Sequence, residues 1–291
     1  MKTAKVNDVV LEYEVIGRGE PILLIPTGPV ADSFHPMVSQ QALAARYQLI
    51  VYHRRGQCGS THTAPPVSFG DQASDAAGLL EFLNVERAHV AGHSTGGVVA
   101  LQLALDYPDR VQSLALLEPT LMRVPSAEAL METAAPVFEA YSAGDKEGAM
   151  ESFISTVCGM PWGECESLLE ERVSGSVAQT MRDADTFFAI DLPAHGDWNF
   201  GAPEAERLTQ PVLSVLGTNS LAMFVEGREL LHALLTNVED CTIQDVGHFL
   251  HIERPGDVAS GLAAFFARHP INAVDPEWLQ KVAAGVTFSS Y

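Results

Sequence analysis

The stretch Ala88-His89-Val90-Ala91-Gly92-His93-Ser94-Thr95-Gly96-Gly97-Val98-Val99-Ala100-Leu101 runs from a short apolar segment into a helical pattern, through a serine set among glycines. Ala88–Ala91 reads as a buried strand, and Gly97–Tyr107 as a helix stopped by Pro108. A serine on so sharp a strand-to-helix turn projects its hydroxyl above the sheet. Gly92 and Gly96 leave room for the close backbone approach that the turn demands. The helix start behind Ser94 offers free N–H groups and a partial positive charge to a developing oxyanion, so the Thr95 N–H is one expected donor. The G-x-S-x-G spacing alone is a weak signal. A strand before it and a helix after it give it specificity.

Working outward, further short apolar runs occur at Val9–Ile16, Pro21–Pro26, Leu49–Tyr52, Leu114–Leu117, Val212–Leu216 and Cys241–Ile243. Helical patterns separate them at Asp71–Leu83, Leu230–Leu235 and Asp257–Phe266. Strands alternating with helices predict an α/β fold with a mostly parallel, doubly wound sheet. Residues 122–207 differ: they carry helical segments near Ser126–Leu130, where Ser126 reads as the N-cap, Asp145–Val157 and Glu164–Val173, with no convincing strand. Inserted between strands, such a block sits over the carboxyl ends of the sheet, where open α/β sheets bind ligands. The expected organisation is therefore a core of residues 1–121 and 208–270, a helical cap of 122–207, and a C-terminal extension of 271–291.

A serine hydroxyl is a poor nucleophile until a base takes its proton, and imidazole has a suitable pKa. His248, in Asp245-Val246-Gly247-His248-Phe249 after the last expected strand, is the candidate base. His93, His53 and His251 read as structural, and His35 and His195 as candidate substrate contacts. A carboxylate is then needed to orient the imidazole. The usual place for it in this architecture follows the strand Val212–Leu216, where Gly217-Thr218-Asn219-Ser220-Leu221 offers no acid. The other accepted place, the end of the preceding strand, holds Glu118. Glu118 is therefore the expected acid. Asp245 is too close to His248 to serve, and Asp197 is a distant second.

The balance of 17 Lys+Arg against 37 Asp+Glu gives a net charge of −20. That charge repels phosphate backbones and anionic membranes, so neither a nucleic-acid nor a membrane role is expected. Four cysteines without C-x-x-C spacing argue against a disulfide scaffold or a zinc site, and for a reducing compartment. Met1–Val10 reads as polar and mixed in charge, so no secretory signal is visible; no membrane-spanning run is visible, and a cytoplasmic protein is expected. A homo-oligomer is left open.

Together these residues resemble the α/β-hydrolase superfamily, from Val9 to about Ala267. The resemblance rests on Gly92–Gly97, Pro26-Thr27-Gly28-Pro29, Arg55-Gly56-Gln57-Cys58-Gly59-Ser60 and Gly247-His248-Phe249. It has departures. Thr27-Gly28 stands where the family commonly has His-Gly. His53-Arg54 stands where it commonly has Asp. Pro29, which has no N–H, takes the place of the usual second oxyanion donor, leaving Gly28, Val30 or a side chain, with Gly28 favoured. A glutamate after the sixth strand is shared with haloalkane dehalogenases, whose aspartate nucleophile Ser94 excludes, and with zearalenone lactonases, which pair a serine with a glutamate in this place. The resemblance implies an esterase or lactonase with a Ser94–His248–Glu118 triad, acting on a small-molecule ester or lactone, with a zearalenone-type lactone as a candidate.

No metal or organic cofactor is required for such acyl transfer. Pro29, Val30, His35, Met122, Phe187 and Trp198 are candidate substrate contacts. Alternatives are a prolyl-aminopeptidase-like peptidase, with Glu164, Glu166 or Asp191 holding an amine, a carbon–carbon bond hydrolase, and a ligand-binding receptor on the same scaffold.

Overall fold

The computed structural model describes residues 1–271. The extension expected from residue 271 therefore lies, beyond Ile271, outside the described residues. Among them, eight strands form one sheet: β1 (Lys2–Val6), β2 (Val9–Gly17), β3 (Glu20–Ile25), β4 (Tyr47–Tyr52), β5 (Ala88–His93), β6 (Val111–Leu117), β7 (Val212–Gly217) and β8 (Val238–Ile243). Their order is β1-β2-β4-β3-β5-β6-β7-β8. β1 with β2 and β2 with β4 are antiparallel, and every later pairing is parallel. This is the doubly wound α/β sheet that the alternation of runs predicts.

Strand periodicity builds the two faces. In β3, Leu23 and Ile25 join one apolar cluster, with the helices Phe69–Phe82 and Thr95–Asp106. Ile22 and Leu24 join the other, with the helix Pro255–Arg268. Successive side chains point to opposite faces, so a strand covered on both sides must be apolar throughout. Each of these four side chains is fully buried, worth roughly 1.5–3 kcal/mol apiece.

Two sequence expectations need correction. β1 lies within a stretch read as merely polar. It alternates exposed Lys2, Thr3 and Lys5 with buried Ala4 and Val6, a one-sided edge strand. Ser126 does not cap a helix. Val124 occupies the cap position and Pro125 the first turn, where a missing N–H costs nothing. Ser126 instead gives its N–H and hydroxyl to Glu226.

Between β6 and β7 the chain forms helices alone, including Pro125–Thr133, Lys146–Cys158, Trp162–Arg172 and Ser176–Arg182. A π-helical turn, Phe187–Asp191, and the helix Leu192–Asp197 follow. All but Pro125–Thr133, which packs with Leu216, Met223 and Phe224, share an apolar cluster around Met150, Ile154 and Phe187. Val30 and Phe249, from loops at the carboxyl ends of the strands, and Ile252, from the short helix Leu250–Glu253, complete that cluster. The insertion is thus seated over the strand ends. No helix among the described residues is long and apolar enough to cross a membrane.

Candidate active site

The turn between β5 and the helix Thr95–Asp106 holds Ser94 at φ +55° and ψ −121°, a strained conformation for a residue with a side chain. Packing enforces it. A Cβ on Gly92 would lie 2.2 Å from the Gly96 carbonyl oxygen, and one on Gly96 would lie 2.3 Å from that of Ile25. The Ser94 N–H donates to the Leu117 carbonyl at 2.9 Å, tying the turn to the end of β6. The Ser94 and Thr120 hydroxyls are hydrogen-bonded at 3.0 Å.

Glu118, one residue past β6, is buried and also holds a positive φ, +44°. Its N–H donates to Val215 in β7, which turns the side chain toward the loop after β8. There His248 Nδ1–H donates to Glu118 Oε2 at 2.7 Å. That bond fixes the tautomer and leaves the Nε2 lone pair free to accept a proton. The other carboxylate oxygen accepts from the Gly217 N–H at 2.8 Å and from the Ser220 hydroxyl. Burial pushes the Glu118 carboxyl up to about 7, against the pull of the Gly217 and Ser220 donors. Burial pushes His248 down to about 3, holding the resting imidazole neutral. Phe224 stacks on the His248 ring at 4.1 Å, and His93 Nε2–H donates to the His248 carbonyl at 2.9 Å. His93 and His251 are both buried, with rings 4.3 Å apart, and they support the His248 loop from below.

The loop after β3 completes the floor. Among the described residues, no backbone carbonyl accepts from the N–H of Thr95 or of Gly28. The carbonyls of Thr27 and Gly28 point the other way: Gln57 Nε2 donates to them at 3.0 and 2.7 Å, and Arg54 adds 3.1 and 3.4 Å bonds. Arg54 is itself buried in a two-pronged ion pair with Asp191, both contacts 2.8 Å. A strand-end arginine thus links the β3 loop to the inserted π-helical turn.

Ser94, Thr95, Thr120 and His248 open into a cavity of about 240 Å³. Met122, Leu130, Phe153, Phe187, Met223 and Phe224 form much of its wall. Among the expected contacts, Pro29, Met122 and Phe187 line it, and Gly28 lies between the lining residues Thr27 and Pro29. His195 also lines it, with Nε2 3.5 Å from the Thr95 hydroxyl. Burial pushes that imidazole down to about 4. Among the described residues, no Asp, Glu, Lys or Arg lines the cavity.

The structure does not bring three of the expected contacts to the cavity. His35 pairs with Asp32 at 2.9 Å on a separate groove. Trp198 donates to Gln102 at 2.8 Å and packs beside Phe200. Val30 is fully buried beneath the inserted helices. Sequence spacing carried no signal for how those helices sit. Thr120 was missed, although it lies two residues beyond Glu118 at a strand end. So was the Arg54–Asp191 pair, whose partners are 137 residues apart.

A family model described as the alpha/beta hydrolase fold matches residues 20–255. The chain is 42% identical over 117 residues to a putative carbamate hydrolase, RutD, of Azorhizobium caulinodans, a match covering 40% of this chain and 43% of the relative. The chain spans less than half the length of the first curated relatives it matches. It is similar in structure to a thermophilic esterase from Thermogutta terrifontis, at TM-score 0.77 and 22% identity over 93% of this chain and 100% of the other. An enol-lactonase from Burkholderia xenovorans gives TM-score 0.71 and 22% identity over 91% and 100%. At such identities the likeness speaks for the fold.

Proposed function

The chain belongs to the alpha/beta hydrolase fold family, and from that premise we propose that it is a hydrolase that cleaves neutral, largely apolar carboxylic esters or lactones through an acyl-enzyme on Ser94. His248 takes the Ser94 proton as Oγ attacks the carbonyl carbon, and the tetrahedral oxyanion forms against the Thr95 and Gly28 N–H groups. Collapse of that intermediate breaks the acyl–oxygen bond, and His248 returns the proton to the leaving alcohol. Water, deprotonated by His248, then releases the acid and restores Ser94. Glu118 holds the His248 tautomer and stabilises the imidazolium whenever it forms. The helices of 122–207 act as the cap of this site.

The observation that carries the reading is the wall of the cavity. Among the described residues it holds no carboxylate and no fixed cation, and burial holds its two imidazoles neutral. A charged substrate group would enter unpaired, at a penalty of several kcal/mol. The peptidase reading loses its anchors for this reason. Glu164 and Glu166 are exposed and do not line the cavity, and Asp191 is committed to Arg54. The position after β7, where carbon–carbon bond hydrolases usually keep an aspartate, holds none.

The names of the esterase and the enol-lactonase agree with this bond class, and the carbamate hydrolases extend it to a related acyl bond. A zearalenone-type macrocycle falls in the class, but about 240 Å³ is below the ~300–1,000 Å³ usual for drug-sized ligands. A compact lactone or short aryl ester fits better.

The test compares kcat/KM for a neutral aryl ester and a compact aryl lactone with the same ester bearing a carboxylate or an ammonium group on its acyl chain. The neutral substrates should lead by at least about a hundredfold, which corresponds to roughly 2.7 kcal/mol. Equal or better turnover of a charged one overturns the assignment.

A further inference from the structure

A second cluster of reactive side chains lies outside the cavity that Ser94 opens into. Asp32, His53 and Cys58 each offer one donor atom, and the three atoms lie within 4.8 Å of one another. Asp32 comes from the loop after β3, His53 from the residue after β4, and Cys58 from the loop that follows. None of them lines the active-site cavity. Asp32 and His53 open on a shallow groove, and Cys58 is a half-buried free thiol.

The histidine is set up as a metal ligand commonly is. His53 Nδ1–H donates to Glu12 Oε2 at 2.9 Å, while Nε2 faces Asp32 Oδ1 at 2.8 Å. A carboxylate on the far ring nitrogen fixes the ring and raises the basicity of the nitrogen that binds metal. Glu12 is in turn held by the Gly59 N–H at 2.9 Å. His35 Nδ1 contacts the same Asp32 Oδ1 at 2.9 Å and helps to position that carboxylate. The Cys58 N–H donates to Asp183 Oδ2 at 2.8 Å, fixing the backbone that carries the thiol.

We propose that Asp32, His53 and Cys58 form a binding site for a thiophilic divalent cation of the zinc class, with Glu12 orienting His53 from the second rank. One thiolate, one imidazole and one carboxylate suit zinc, and a thiol is a poor ligand for magnesium or calcium. Zinc–ligand bonds of about 2.0–2.3 Å in tetrahedral geometry put donor atoms roughly 3.5 Å apart. The present spacing needs only a small closure at Cys58 and a small opening between His53 and Asp32. Binding displaces the proton at His53 Nε2 and the Cys58 thiol proton. Two protons therefore leave as the nitrogen–metal and sulfur–metal bonds form, with no change of oxidation state. Water or buffer takes the fourth position.

The site borders the inserted helices, because Asp183 lies just ahead of the turn that carries Phe187 into the cavity wall. It does not depend on the esterase assignment, and the test reads the metal rather than turnover.

Cobalt(II) is titrated into the metal-free full-length protein, and the near-ultraviolet thiolate-to-cobalt charge-transfer band is followed, with zinc as competitor. A band saturating at one cobalt per chain is expected. It should be abolished by Cys58→Ser and by His53→Ala, displaced by one equivalent of zinc, and weakened about 10- to 100-fold in affinity by Glu12→Gln. Absence of the band overturns the proposal. So does a band of undiminished intensity in Cys58→Ser, since it would come from another of the four cysteines. If His53→Ala fails to fold, the near-isosteric Cys58→Ser and Glu12→Gln variants still decide the matter.

Discussion

The hydroxyl of Thr120 lies 3.0 Å from that of Ser94, and the Thr120 N–H donates to the Ser94 carbonyl at 3.3 Å. The end of β6 therefore reaches both partners of the proposed chemistry: Glu118 on His248, and Thr120 on the nucleophile itself. The hydroxyl pair is a neutral hydrogen bond between partly buried groups, worth about 0.5–1.5 kcal/mol. Thr120→Val, which keeps the shape and removes the hydroxyl, should lower kcat/KM for an aryl ester by less than about tenfold. A thousandfold loss would give Thr120 a part in the chemistry that this account does not.

Glu118 should behave quite differently. Its carboxylate holds the His248 tautomer through one 2.7 Å bond. Glu118→Ala should lower kcat by about three to four orders of magnitude while circular dichroism stays native. Near-normal turnover in a folded Glu118→Ala protein would remove the residue from the mechanism.

The same pair sets the acid limb of the pH profile. General-base action needs His248 neutral and Glu118 ionised. The group that takes up a proton first as pH falls is the one pushed upward, Glu118, at about 7. The wild-type kcat/KM for an uncharged ester should therefore decline as pH drops through about 7, reporting the pair rather than either residue alone. In Glu118→Gln the carboxyl titration is gone, and His248, held down by burial, remains. The residual activity should then decline only at distinctly lower pH. An acid limb that stays in place or moves upward in Glu118→Gln contradicts this assignment of the charges.

Asp191 and Arg54 test the seat of the inserted helices. Both are buried, and removing one strands the other's charge away from water. Asp191→Leu should destabilise the fold by about 3–5 kcal/mol in denaturant titration, and Arg54→Met with Asp191→Leu should recover most of that loss. Strict additivity of the two single losses would show that the pair is not coupled.

Gly96 tests the turn. A methyl there meets the Ile25 and Pro26 carbonyl oxygens at 2.3 and 2.4 Å, and backbone cannot step aside as a side-chain tip can. Gly96→Ala should destabilise by about 1–3 kcal/mol and displace Ser94, with activity falling further than the fraction folded. A variant of unchanged melting temperature and unchanged kcat would mean that the close approach has no such role.

Much of the fold was legible because its signals are local. Continuous apolar runs such as Ile22–Ile25 announce strands covered on both faces, and Gly92-His93-Ser94-Thr95-Gly96 announces a turn that only small neighbours permit. The Ser94, Glu118 and His248 candidates could be named because Ser94 and Glu118 sit at strand ends and His248 in the loop after the last strand, places that sequence order reveals. What escaped depends on orientation or on distant pairing. Trp198 and His35 were read as substrate contacts from residue type alone, yet the inserted helices turn Trp198 onto Gln102, and the β3 loop turns His35 onto Asp32. Arg54 looked like a departure from a family pattern, and its meaning appears only when Asp191 folds down on it. β1 alternates correctly, but over five residues with two lysines the pattern resembles a charged terminus.

The central claim is that Ser94 carries the acyl group. The most direct measurement is rapid-quench mass spectrometry of the Ser94 peptide during turnover of a chromogenic aryl acetate, beside Ser94→Ala. An acetyl adduct on Ser94 should form with the burst of released phenol and decay at the steady-state rate, with neither burst nor adduct in Ser94→Ala. Turnover without any adduct, together with activity retained in Ser94→Ala, would contradict that claim.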